Sequence, residues 1–127
     1  MALNEKIGTK RLVVGAHYGT FEYLAQRVTA IIMAVYTLVL LVGILTMSGF
    51  TYQGWHNLFT FTVVMMPIGQ ILGSLTMISL AWHAWIGVRD IWMDYVGHVG
   101  VRLFLMVMTL LWLVGSVVYF INILWRN

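Results

Sequence analysis

Between Arg27 and Arg89 the chain runs for 61 residues, 28–88, without one Asp, Glu, Lys or Arg. A water-soluble domain carries about 25% charged residues and spreads them over its surface. A second uncharged stretch, 23 residues from 103 to 125, follows Arg102. Over all 127 residues only 9% are charged, 61% are hydrophobic and the mean hydropathy is +0.92. This pattern excludes a globular enzyme, a nucleic-acid binder and a disordered tail.

A bilayer core about 30 Å thick is crossed by about 20 apolar helical residues. The longer stretch would extend roughly 90 Å as one helix, enough for two crossings and a turn. The shorter one allows a third. The expected fold is therefore an all-α membrane protein with three transmembrane helices, about 21–48, 57–89 and 101–125. Together they form a single membrane-anchor domain, 1–127. Pro67 lacks an N–H, so it either kinks or begins the second helix. Residues 49–54 read as the first turn, with Tyr52 and Trp55 as an interfacial aromatic pair, and Asp90–Gly100 as the second loop.

Basic residues set the expected orientation. Lys6, Lys10, Arg11 and Arg27 precede the first crossing, and Arg89 and Arg102 flank the second loop. Six of the seven Lys and Arg thus share one side, with Arg126 alone on the other. The N-terminus is expected in the cytoplasm and the C-terminus in the periplasm. Glu22 and Arg27 interrupt any signal-peptide core, and Glu5, Glu22 and the lack of early serine argue against a mitochondrial transit peptide. A multi-pass protein of a bacterial inner membrane is the expectation. The chain has no cysteine, which removes disulfides, iron–sulfur ligation and thiolate haem ligation from it.

His83 is the one histidine embedded in an apolar run; His17, His56 and His98 fall in flanks or loops. An ionisable residue at membrane depth is a functional hypothesis by default, the bland alternative being a hydrogen bond to a neighbouring helix. Gly69, Gly73, Thr76, Ser79, His83, Gly87 and Asp90 recur at steps of three and four, making a small and polar stripe. Such a stripe admits a flat macrocycle or another backbone; for Gly69 and Gly73 helix packing is the better reading. Haem b held by two imidazoles would need its second ligand from another subunit.

Arg27 starts a face with Ala30, Ala34, Thr37 and Leu41. Its planar fork suits a propionate, and equally a snorkelling anchor. Asp94 and Tyr95 lie past the second helix on the same side. A tyrosine hydroxyl there can donate to a quinone carbonyl, yet tyrosine is also an ordinary belt residue, and Asp is ordinary in a loop. The tryptophans read as belt residues, and Thr109 and Ser116 as packing.

The run His83-Ala84-Trp85-Ile86-Gly87-Val88-Arg89-Asp90-Ile91-Trp92-Met93-Asp94-Tyr95-Val96 resembles the D-type hydrophobic membrane anchor subunits of succinate dehydrogenase, respiratory complex II. The shared features are His-x-x-x-Gly and Asp-Tyr-Val eleven residues after the histidine. Gln26-Arg27-Val28-Thr29-Ala30 looks like that family's Arg-x-Thr-Ala motif. The resemblance implies that His83 is an axial ligand of haem b, shared with a partner. It implies that Tyr95, beside Asp94, hydrogen-bonds ubiquinone, and that Arg27 lies near the propionates or the quinone. Partners would be a cytochrome b-type anchor, an iron–sulfur subunit and a flavoprotein subunit, with FAD and Fe–S clusters in those partners only. The chain itself would carry no dicarboxylate site and no catalytic residue for succinate. Some relatives place a histidine shortly before the arginine; here Phe21 stands six before it, and His17 is more distant. Arg89 and Asp90 receive no role. A quinol:fumarate reductase anchor and a haem-free passive anchor remain the alternatives.

Overall fold

The computed structural model describes residues 16–126, with side chains from residue 19 onward. Lys6, Lys10, Arg11 and the side chain of His17 lie outside the described residues. Four helices follow in order: α1 (Ala16–Thr46), α2 (Tyr52–Thr60), α3 (Ile68–Tyr95) and α4 (Val99–Trp125). Three stretches, Gly19–Thr46, Ile68–Tyr95 and Val99–Trp125, are long and apolar enough to cross a membrane. α3 is the central element. It packs antiparallel against both α1 and α4, and α2 rests on its start.

The second crossing differs from the expected 57–89 at both ends. That stretch would be a helix of about 50 Å, far longer than the ~30 Å core requires. The chain divides it instead. Thr51 caps α2, its hydroxyl accepting from the Gly54 N–H at 3.1 Å. α2 carries Trp55 and Phe59 stacked at 6.5 Å on one side and Gln53 bonded to Asn57 at 3.0 Å on another. This is the two-sided character of a helix lying at a membrane surface. A tight turn then separates α2 from α3. Val63 and Met66 exchange two backbone hydrogen bonds of 3.0 Å. Val64 and Met65 between them take positive φ, 50° and 65°. Neither residue favours that conformation, so nothing in Val-Met advertises the turn. Pro67 sits at the N-cap and α3 begins at Ile68. At the far end α3 runs on through Tyr95, so Asp94 and Tyr95 belong to its last turn rather than to a loop. α4 starts at Val99 and leaves only a short link.

Burial is inverted relative to a soluble protein. Leu38, Leu45, Phe104, Leu111 and many other large apolar side chains are exposed, whereas Thr29, Gln70 and Ser79 are buried. Lipid is as apolar as leucine, so apolar surface gains little by being covered; close packing and hydrogen bonds hold the helices. α3 and α4 are pinned near both ends. Gln70 Nε2 donates to the Leu124 carbonyl at 3.1 Å, and Trp125 Nε1 donates to Ser74 Oγ at 3.0 Å. At the other end Trp92 Nε1 donates to Thr109 Oγ1 at 3.1 Å. Trp92 and Trp125 therefore join helices, beyond the belt role read from sequence.

Gly69 and Gly73 serve packing. A Cβ on Gly69 would stand 2.6 Å from the Phe59 carbonyl oxygen and 2.8 Å from the Phe61 nitrogen. One on Gly73 would stand 3.1 Å from both the Tyr36 hydroxyl and a Leu124 methyl. Gly69→Ala must push backbone aside and should cost about 1–3 kcal/mol. Gly115→Ala, with nothing within 4 Å of its Cβ position, should be near neutral. Thermal unfolding of the detergent-solubilised protein compares them.

Candidate functional site

Glu22, Gln26 and Thr29 of α1 face α3. They follow a spacing of four and then three, which stacks them on one side of a helix. Each meets α3. Thr29 is buried, and its Oγ1 lies 3.1 Å from His83 Nδ1. Gln26 Nε2 donates to the His83 backbone carbonyl at 3.2 Å. His83 is thus held twice, once by its ring and once by its backbone, from successive turns of α1.

Glu22 receives the guanidinium of Arg89 in a two-pronged pair. Arg89 Nη1 and Nη2 each donate to a different Glu22 carboxylate oxygen at 2.7 Å. Asp90 Oδ1 lies 3.1 Å from Arg89 Nη2. Parallel paired hydrogen bonds of this kind fix orientation as well as distance. Both partners are half-buried. The pair fastens α1 to α3 between His83 and the end of the bundle that carries Tyr95.

Arg27 stands apart from this face. It lies roughly 160° around α1 from Thr29. Its guanidinium carbon sits 5.0 Å from the centroid of the Tyr23 ring in the same helix. It is exposed and makes no ion pair among the described residues. Thr37, in the stripe read from Arg27, is exposed too and bonds only to Met33 of its own helix. The structure does not bring Arg27 and His83 into contact.

Asp94 and Tyr95 lie about 16–18 Å along α3 from His83. Tyr95 is 85% exposed. Asp94 lines an open hollow of about 460 Å³ with Arg102, Met93 and Met106. Charged groups of both signs therefore flank this hollow. The described residues contain no group of three or more His, Cys, Asp or Glu that could cage a metal ion. A single axial ligand needs no such cage.

The chain matches, over residues 1–123, the family model described as succinate dehydrogenase/fumarate reductase transmembrane subunit. It belongs to that family. It is similar to the succinate dehydrogenase hydrophobic membrane anchor subunit of Coxiella burnetii, 34% identical over 107 residues, which cover 84% of this chain and 89% of the relative. Membership of this anchor family makes the chain one subunit of a larger complex. The Glu22–Arg89 pair, Gln26 and Thr29 were assigned no role from sequence. The signal was present in the spacing Glu22, Gln26, Thr29 opposite His83, but it required knowing which face of α1 meets α3.

Removing Arg89 leaves the Glu22 carboxylate half-buried without its partner, and removing Glu22 leaves Arg89 only the longer contact to Asp90. Glu22→Gln and Arg89→Gln should each lower the melting temperature of the solubilised complex. The double substitution should lower it by less than the sum of the two. Additive losses would show that the pair is not coupled.

Proposed function

We propose that this chain is the D-type membrane anchor of a succinate:ubiquinone oxidoreductase, supplying one axial ligand to haem b and part of a ubiquinone site. The observation that carries the haem reading is the environment of His83. Its Nδ1 is taken by Thr29, and no hydrogen bond engages Nε2 among the described residues. His83 is half-buried, and its second nitrogen is left for a partner outside this chain. Metal-bound histidines characteristically place the second nitrogen against an oxygen, as here. The glycine one turn on, Gly87, has nothing within 4 Å of its Cβ position, which leaves room beside the ring. The residues present therefore fit one side of a bis-histidine haem, the second imidazole coming from a partner anchor subunit. Haem b, when bound, supplies a one-electron redox centre inside the membrane.

Tyr95 is the proposed donor to a quinone carbonyl, with Asp94 beside it to orient a partner's cation or pass a proton. The exposure of Tyr95 supports a pocket shared with other subunits rather than one enclosed by this chain. Arg27 is proposed as a cation for a propionate or quinone on a partner-facing side of α1, because among the described residues it meets only an aromatic ring. The orientation proposed is N-terminus inside. Glu22, Arg27, Arg89, Asp94 and Arg102 gather at one end of the bundle and Arg126 lies at the other. That end would face the cytoplasm of a bacterial cell, where the flavoprotein and iron–sulfur subunits would dock. Fumarate reductases share the family model, and the name of the Coxiella relative favours succinate oxidation.

An optical spectrum of the purified complex tests the ligand. Wild type should show a b-type haem signal that His83→Leu loses or strongly alters; an unchanged spectrum would sink the assignment. Tyr95→Phe should cut succinate-dependent quinone reduction, by about ten-fold or more if one hydrogen bond worth ~1.4 kcal/mol is lost in the rate-limiting step. It should spare reduction of a soluble dye by succinate. Equal loss of both activities would point to assembly.

A further inference from the structure

The contact between Thr29 and His83 specifies more than proximity. A threonine hydroxyl has one proton and two lone pairs. Two backbone oxygens of α1 compete for that proton, Ala25 O at 2.7 Å and Gln26 O at 3.2 Å. The shorter contact is the ordinary bond of a helical threonine to the carbonyl four residues back. With its proton turned into α1, Thr29 can offer His83 only a lone pair. The His83 Nδ1 must then be the protonated nitrogen, and Nε2 carries the free electron pair. Thr29 is buried, so water does not compete for its hydroxyl. Gln26, bonded to the His83 carbonyl at 3.2 Å, holds the backbone from which the ring is aimed.

We propose that Thr29 is a positioning residue that fixes His83 in the Nδ1–H tautomer and, through that hydrogen bond, sets the electron donation of Nε2 to the haem iron. This rests on the haem role proposed for His83. A hydrogen bond accepted from Nδ1–H makes an imidazole a more basic ligand. A more basic ligand favours the oxidised iron and holds the reduction potential down.

The experiment is a redox titration of the haem in the purified whole complex, followed optically, with the electron paramagnetic resonance spectrum of the oxidised form. Four forms are compared: wild type, Thr29→Val, Thr29→Ser and Thr37→Val. Thr29→Val keeps the shape and removes the acceptor. It should retain haem, shift the midpoint potential upward and alter the low-spin signal. Thr29→Ser keeps the hydroxyl and should match wild type. Thr37→Val removes an exposed threonine that bonds only within α1, and it should also match wild type. An unchanged potential and signal in Thr29→Val would overturn the positioning role while leaving His83 as ligand. So would loss of assembled complex in Thr29→Val with Thr29→Ser intact, since that assigns Thr29 to folding. A wild-type complex without a b-type spectrum would instead remove the haem reading itself.

Discussion

Lipid offers apolar side chains the same surroundings that a protein interior does, so this chain is not held together by hiding them. Its order depends on polar groups that cannot be left facing hydrocarbon. The polar side chains of α3 and the polar faces of its neighbours find one another because the alternative is an unsatisfied donor in a medium without water. Gln70, Ser74, Trp92, His83 and Arg89 each name a place where α3 is tied to a neighbour. The glycines at its start let those neighbours come close enough for the ties to form.

The same constraint joins architecture to chemistry. On α1, Glu22, Gln26 and Thr29 are fold residues, since they register α1 against α3. They are also the residues that hold the ring and backbone of His83 and brace the helix between His83 and Tyr95. A one-residue slip of α1 would rotate Thr29 away by about 100° and leave the His83 ring without its acceptor. The ion pair of Glu22 with Arg89 guards against such a slip, because two parallel hydrogen bonds tolerate little sliding.

The three crossings were legible in the charge map alone. Runs of uncharged residues count helices well because the cost of a buried charge is large and local. The family resemblance was legible in the block from His83 to Val96. The face of α1 was not. Arg27 is the conspicuous residue there, yet it lies on the side of α1 turned away from α3, and the less conspicuous Gln26 and Thr29 occupy the contact. The partner of Arg89 lies 67 positions away in sequence, and no local pattern announces a pair at that separation. The split between α2 and α3 was half legible: Pro67 offered a start for the second crossing, and α3 does begin just after it, but the turn before it carried no signal. That turn is built from Val64 and Met65, residues that read as continuous helix or strand. The return of charge at Arg89 suggests a loop for Asp94 and Tyr95, but a helix does not have to stop where it leaves hydrocarbon.

α1 and α4 each pack on α3 far more extensively than on one another. A row of three rods encloses nothing. Whatever lies beside His83 or Tyr95 is walled by this chain on one side and by another molecule on the rest. The subunit is therefore one half of a mould, and selection can act on its lipid-like outer faces only through the shape of the chain pressed against them. Changes there would be tolerated or not according to what the neighbour has become, so this chain and its neighbours in the complex would be expected to drift in step while the ties within each stay fixed.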